Sequence, residues 1–213
     1  MYDKLYNAII ANDCDIAVCN SRKDSNVFGI SETKSNFYKD FDVYTIYGNV
    51  NNLINILSYN NSAVWNKLYK RELFDFVRFP EDEIYEDIQT TYKLVYKSNK
   101  IVYINDVLYN YVIRKNSITS TNNINTHVSF IKSFKIQYDD VKDINPILKM
   151  LSQKLFTESV IHILKSYDDM SKHPNEKEII KSFLKDTRIS RTVKKSDYIQ
   201  FEKLGILDIN EFI

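Results

Sequence analysis

Residues 77–119 read VRFPEDEIYEDIQTTYKLVYKSNKIVYINDVLYNYVIRKNSIT, and they carry most of the information about the architecture. An acidic loop comes first, and the residues after it place apolar side chains at the spacing of a helix. Two runs rich in Val, Ile and Tyr follow, Lys100–Ile104 and Val107–Ile113, and they predict two strands joined by a tight turn at Asn105-Asp106. A helix that leads into strands is typical of a mixed α/β layer.

The residues before this stretch extend the same pattern. Apolar side chains at helical spacing over 1–13 predict that the chain begins inside a helix. Strands are predicted at 15–20 and at Val43–Tyr47, with a loose hairpin or long loop between them. We expect a helix at 51–58, and a strand or loop that turns into a short helix at 63–74. So few strands, entered from a helix, predict an incomplete sheet.

After about residue 125 the pattern predicts helices only. Asn145 and Pro146 are a suitable N-cap and first-turn pair for a long helix. Another helix is predicted to start at Pro174, and a last one to end at Gly205. We therefore predict an α/β domain over 1–120, followed by a helical domain over 121–213.

Composition excludes several classes of protein. The 213 residues include 29 Lys and Arg against 28 Asp and Glu, and a net charge of +1 argues against a dedicated nucleic-acid-binding domain. Only three residues are glycine, too few for a Gly-rich phosphate loop or a dinucleotide fingerprint. Two cysteines indicate small buried side chains. With neither a signal peptide nor a run of about 20 apolar residues, we expect a cytoplasmic protein.

The most concentrated ionisable feature is the acidic loop, which has five carboxylates in seven positions from Glu81 to Asp87. If Glu86 and Asp87 open the following helix, the helix N-terminus favours their ionised form. An ionised carboxylate at such a place is a suitable general base toward a sugar hydroxyl. The alternative is a solvated acidic loop beside ordinary first-turn charges.

Two smaller clusters are also candidates for binding. Arg114 and Ser117 follow a predicted strand and are suited to grip phosphate oxygens, although a polar strand end has the same composition. Trp65 and Lys67 could stack on a sugar and hydrogen-bond to it. The alternative there is a core tryptophan beside a surface lysine.

Two D-x-D strings resemble the metal-binding pair of nucleotide-sugar enzymes. One is Asp13-Cys14-Asp15 and the other begins at Asp40. Such a pair should follow a buried strand, whereas Asp13 and Asp15 precede one, so we interpret both strings as unrelated to a metal. The three histidines are scattered through the helical part without the spacing of metal ligands, which favours structural roles.

Taken in order, three segments resemble the C-terminal half of a family 2 glycosyltransferase with a GT-A type fold. They read LYNAIIANDCDIAVCN, SAVWNKLYKRELF and the stretch 77–119 quoted above. Members of this family transfer a sugar from a nucleotide-diphosphate donor to a saccharide or glycoconjugate, usually with inversion. The resemblance implies a partial GT-A type sheet followed by a helical C-terminal segment.

The resemblance also implies a role for each candidate residue. Asp87 matches the general base that deprotonates the acceptor hydroxyl, and Glu86 supports it. Arg114 and Ser117 match the segment that closes over the donor diphosphate. Trp65 and Lys67 match the region that lines the acceptor side.

Two features of the family are missing from this sequence: the opening V-S-V-I-V-P-x-Y-N strand and a D-x-D at a strand end. The complete family enzyme is expected to use Mn or Mg, and no metal is predicted on this chain. We expect a truncated transferase that binds a nucleotide sugar weakly or not at all, cytoplasmic or peripheral at the inner membrane face. The alternative is a non-catalytic module that pairs with another copy or with a partner glycosyltransferase.

Overall fold

The computed structural model of the chain describes residues 1–25, 30–34, 42–112, 117, 123–187 and 195–206. The chain divides into two compact units. The first unit consists of Met1–Pro80 and Thr90–Thr121, and the second consists of Glu81–Gln89 and Asn122–Ile213. The first unit is mixed α/β and the second is helical, which confirms the predicted fold class. The segment Glu81–Gln89 groups with the helices, and the domain boundary at residue 120 stays a prediction.

The first unit is built around a five-stranded mixed sheet. Its elements in chain order are α1 (Tyr2–Asn12), β1 (Ile16–Ser25), β2 (Ile30–Lys34), β3 (Val43–Tyr47), α2 (Asn49–Ser58), β4 (Lys67–Tyr69), a 3-10 helix (Arg71–Phe74), most of α3 (Glu86–Lys97) and β5 (Lys100–Val112).

Strand β1 is central and pairs in parallel with β5. On its other edge it pairs antiparallel with both β2 and β4, while β3 pairs antiparallel with β5. A parallel pair requires a long crossover connection, and here that crossover is the chain from the end of β1 to the start of β5.

Both faces of the β1–β5 pair are buried. Ala17, Cys19, Val102 and Ile104 point to one face and pack with Leu5 and Ile9 of α1, while alternate residues on the same strands (Ile16, Val18, Ile101 and Tyr103) are buried as well. Burial on both faces explains why these strands read as continuous apolar runs in the sequence. Cys14 and Cys19 are both buried free thiols, as predicted.

The prediction of two strands around a tight turn at Asn105-Asp106 is wrong. Strand β5 continues through these residues because the segment after them remains parallel to β1. The register shifts there: Cys19 lies opposite Ile104, and Asn20 lies opposite Val107. The extra residues form a bulge in which Asn20 Nδ2 donates to the carbonyl and Oδ1 of Asn105, at 3.0 and 2.9 Å. Asn and Asp are frequent turn residues, so a bulge of this kind resembles a turn in sequence.

Helix α1 buries one side and exposes a second apolar row. Leu5 and Ile9 are buried, whereas Tyr2, Tyr6 and Ile10 are 67, 58 and 63% exposed at a spacing of four residues. The predicted helix is therefore confirmed, but its apolar residues are divided between two faces.

In the D-x-D string at Asp13 and Asp15, the second aspartate forms hydrogen bonds that hold neighbouring strands together. Asp15 Oδ2 accepts from the backbone N–H of Asn99 at 2.7 Å, and Oδ1 accepts from Lys70 Nζ at 3.1 Å. This hydrogen bond is the main reason that the pKa of Lys70 is raised. The Asp13 side chain is 98% exposed. Asp15 thus ties the start of β1 to the start of β5 and to the residue after β4.

Replacing Asp15 with Asn should therefore destabilise the fold, whereas the same change at Asp13 should not. Asp15→Asn removes the charge that pairs with Lys70 and turns one acceptor into a donor, which should cost on the order of 1–3 kcal/mol. Asp13→Asn keeps a residue that tolerates the positive φ of 47° and should change stability by less than about 0.5 kcal/mol. Urea unfolding of both variants makes the comparison, and equal losses would contradict this role.

The second unit is an assembly of helices. It contains the first turn of α3, then α4 (Ile124–Val141), α5 (Pro146–Leu164), α6 (Pro174–Thr187) and α7 (Lys195–Lys203). The side chain of Asn145 accepts from the backbone N–H of Ile147 at 2.8 Å, which confirms the predicted N-cap. Gly205 follows α7 with φ 62°, as its predicted role at a helix end requires. No helix among the described residues is long and apolar enough to cross a membrane.

A half-buried His–Tyr–His group lies in this unit. His127 Nδ1 and the Tyr167 hydroxyl share a hydrogen bond of 2.7 Å, and the His173 ring packs edge-on against Tyr167 at 5.8 Å. Burial lowers the pKa of His127 below its ordinary value of 6.5, and the charge of His162 lowers it further. The structural role predicted for the histidines fits His127.

The second unit should lose stability as the pH falls through 6.5. Because the folded-state pKa of His127 is below that of the unfolded chain, the unfolded state binds more protons in this range. His127→Asn keeps a hydrogen-bonding group for Tyr167 but cannot be protonated, so it should flatten this dependence. Thermal midpoints about one pH unit above and below 6.5 give the measurement. His162→Asn is the exposed control and should leave most of the slope; an unchanged slope in His127→Asn would contradict the assignment.

Candidate active site

The predicted catalytic pair opens helix α3. Glu86 and Asp87 are its first two residues, and both are half-buried. Asp87 Oδ1 accepts from the backbone N–H of Ile88 at 2.8 Å, so this carboxylate satisfies one of the N–H groups that the first turn leaves without a partner inside the helix. The positive end of the helix dipole favours the ionised form at this position.

The backbone just before this pair adopts a rare conformation. Asp82 has φ 56° and Tyr85 has φ 61°, in the left-handed region. A bulky residue such as tyrosine is seldom found there. Aspartate tolerates this region, whereas a tyrosine there costs on the order of 1–3 kcal/mol and persists only when its surroundings impose it, most often at functional sites.

Helix α4 supplies those surroundings. Glu83 Oε1 accepts from Lys132 Nζ at 2.6 Å, and the Tyr85 ring packs edge-on against Phe130 at 5.0 Å. One turn into α3, Gln89 donates to Ser133 Oγ at 3.1 Å. The segment that carries the carboxylate pair is therefore held on both sides of the pair by one long helix.

A second candidate group lies in the first unit, around Trp65. The Trp65 ring stacks on Tyr109 at 4.3 Å with 24° between the planes, and Tyr111 lies 5.3 Å away. Tyr109 pairs with Ser21 of β1, and the backbone N–H of Cys19 donates to the carbonyl of Asn66 at 3.0 Å. The rings therefore lie toward the carboxyl ends of the parallel strands, where open α/β sheets bind ligands.

Tyr109 and Tyr111 were not among the site residues predicted from the sequence. Their alternation on β5 places both side chains on the same face of the sheet, and that signal was readable. That this face meets Trp65 follows from the antiparallel pairing of β4 with β1, which no local pattern reports.

Lys67 is buried, with 5% of its surface exposed. Its ammonium donates to Asn61 Oδ1 at 3.0 Å, to Asn66 Oδ1 at 2.9 Å and to the carbonyl of Ala63. These three bonds fix the segment that leads into β4, including Trp65. A direct contact of Lys67 with substrate stays a prediction, and the observed contacts describe a lysine that positions its neighbours.

Of the two remaining predicted site residues, the structure describes only Ser117. Arg114 lies outside the described residues, and Ser117 is described as half-buried. Their role at the donor diphosphate therefore stays a prediction.

Of the two D-x-D strings, only the first lies wholly within the described residues. Asp15 of the D-x-D string is occupied by Asn99 and Lys70, while Asp40 lies outside the described residues. Within the described ranges, no three His, Cys, Asp or Glu side chains are arranged to hold an ion. A metal in the complete enzyme stays a prediction.

Curated glycosyltransferases are similar to parts of this chain. Glycosyltransferase GlyA of Streptococcus pneumoniae serotype 4 is 31% identical over 127 residues, which cover 55% of this chain and 17% of GlyA. Glycosyltransferase GlyG of the same strain is 31% identical over 131 residues, which cover 57% of this chain and 42% of GlyG. The processive diacylglycerol beta-glycosyltransferase of Mycoplasma genitalium is 29% identical over 92 residues, which cover 41% of this chain and 27% of that protein.

The chain spans less than half the length of each of these relatives. No family model matches it. The similarities show that the chain is related to glycosyltransferases.

Removing the Lys67 ammonium should destabilise the first unit. Lys67→Met leaves two buried acceptors and one part-buried acceptor without their donor, which should lower the free energy of unfolding by about 1–3 kcal/mol. Lys149→Met, at an exposed position on α5, is the matched control and should stay within about 0.5 kcal/mol. The two variants would be compared by urea unfolding, and a Lys67 variant as stable as the control would rule out the positioning role.

Proposed function

We propose that this chain contributes the base-carrying, acceptor-side part of an inverting family 2 glycosyltransferase with a GT-A type fold. The observation that carries the proposal is the placement of Glu86 and Asp87. They open α3 directly after a backbone that is held in an unfavourable conformation. The relationship to glycosyltransferases supports sugar transfer as the reaction class, in which such a carboxylate can act as a general base.

Asp87 is the proposed general base. Its carboxylate takes the proton of the acceptor hydroxyl while that oxygen forms a bond to the anomeric carbon of the donor sugar. The bond between this carbon and the phosphate oxygen breaks, and the nucleotide diphosphate leaves with the electron pair. Attack from the face opposite the leaving group inverts the anomeric configuration, so a single base is sufficient. Glu86 supports Asp87.

In the first unit, the Trp65 ring group is proposed to line the acceptor side. Aromatic faces are apolar surfaces with polar edges, which suits the C–H face of a sugar ring. Arg114 and Ser117 are proposed to offset the charge of the donor diphosphate as it leaves.

The substrates of this proposal are a nucleotide-sugar donor and a saccharide or glycoconjugate acceptor. The relative from Mycoplasma genitalium is named for transfer to diacylglycerol, so a lipid acceptor belongs in the assay. Residues for a divalent metal are not among those described, and the proposed steps use only side chains of this chain.

Replacing the proposed base should abolish transfer and spare the fold. Asp87→Asn should lower turnover by about a hundred- to ten-thousand-fold, the usual contribution of a general base. Glu86→Gln should cause a smaller loss. Turnover is measured as nucleotide release from UDP-, GDP- and dTDP-linked hexoses, with methyl glycosides and diacylglycerol as acceptors. The protein assayed is the complete gene product.

Glu81→Gln is the matched control, because Glu81 is an exposed carboxylate of the same acidic loop. It should retain full turnover, and all three variants should keep the thermal midpoint of the parent. Full turnover in Asp87→Asn would eliminate Asp87 as the base. A parent protein that transfers none of these sugars would favour the alternative of a non-catalytic module.

A further inference from the structure

We propose that Lys132 is a positioning residue for the carboxylate pair, acting through Glu83. The inference rests on the proposed function, because it concerns the placement of the proposed base. Lys132 lies on α4, 45 positions after Asp87 in the sequence, and no motif of the sequence analysis points to it.

The contact itself is close and local to the acidic loop. Lys132 Nζ lies 2.6 Å from Glu83 Oε1, and the two side chains are 43 and 31% exposed. Glu83 is one of the five carboxylates between Glu81 and Asp87, and like charges so close in sequence repel one another. An ammonium bound to Glu83 reduces that repulsion and fixes the loop to a rigid helix.

Glu83 lies between two residues of the acidic loop that have left-handed backbone conformations. Asp82 before it and Tyr85 after it both have positive φ values, of 56 and 61°. Aspartate tolerates such a φ, but tyrosine does not, and a loop with an unfavourable residue such as Tyr85 returns to a relaxed conformation unless other contacts hold it. The Lys132–Glu83 pair and the packing of Tyr85 on Phe130 both hold this loop against α4.

The pair should matter more for catalysis than for stability. A partly exposed ion pair contributes about 0–1 kcal/mol to folding, so its loss should barely move the thermal midpoint. Displacement of a catalytic group by about 1 Å can cost on the order of a hundred-fold in rate. A large kinetic effect with a small stability effect is therefore the signature of a positioning role.

The test is a double-mutant cycle with a matched control. The variants are Lys132→Met, Glu83→Gln, the double variant and Lys132→Arg. The control is Lys142→Met. Lys142 directly follows the last residue of α4, and its ammonium forms an ion pair of 3.0 Å with Asp139. Two readouts are taken: nucleotide release in the assay described above, and hydrogen exchange of the backbone amides of residues 84–88 in the 213-residue chain.

We expect Lys132→Met to lower kcat by about ten- to a hundred-fold with little change in the donor KM. Glu83→Gln and the double variant should show the same loss, because both act on one contact. Lys132→Arg should recover most of the turnover. Exchange at 84–88 should accelerate in Lys132→Met and not in Lys142→Met.

Unchanged exchange in Lys132→Met would overturn the inference whether or not transfer is detected. Faster exchange with full turnover would overturn it as well, because the loop would then move without consequence for the base. Additive losses in the double variant would show that Lys132 does not act through Glu83. If the parent transfers no sugar while exchange responds as expected, the placement of the loop by Lys132 is supported and the proposed function fails separately.

Discussion

The parallel pairing of β1 with β5 holds the first unit together. Parallel strands cannot be joined by a short turn, so the chain between them has to leave the sheet and return. On that path it adds β2, β3 and β4 to the edges and places α2 against the sheet. The buried faces of β1 and β5 then lie at the centre of the apolar core, against which residues of α1, α2 and α3 are also buried.

The same pairing determines where the aromatic group lies. Strand β4 runs antiparallel to β1, so its first residues lie toward the carboxyl end of β1. The second half of β5 reaches the same end because it is parallel to β1. Trp65 and Tyr109 come from segments 44 positions apart in the sequence, and they meet because both strands use β1 as their partner.

In the second unit the decisive feature is a strained loop supported by a helix. Polar and aromatic side chains of α4 reach both the loop and the first turn of α3. Such an arrangement stores free energy locally and compensates for it with contacts elsewhere, which is common where a reactive group has to be held in place. The carboxylate pair is thereby kept at a helix N-terminus.

Much of the architecture was predictable because local patterns specify local structure. The apolar spacing of α1, the cap at Asn145 and the left-handed residue Gly205 follow from side-chain period and backbone preference alone. The prediction of a turn at Asn105-Asp106 failed because turn residues also suit a bulge, and only the partner strand distinguishes the two. The roles of Asp15 and Lys67 were equally hidden, since their partners lie elsewhere in the chain.

The sequence by itself determined most of the helices, the α/β and helical parts, and the place of Glu86 and Asp87 at the start of a helix. These features depend on residues within a few positions of one another. Which side chains surround the candidate residues depended on the folded chain: Tyr109 beside Trp65, three acceptors around Lys67, and Lys132 on Glu83. Contacts between distant segments arise from burial and strand pairing of the whole chain, and those forces leave no pattern at the residues they bring together.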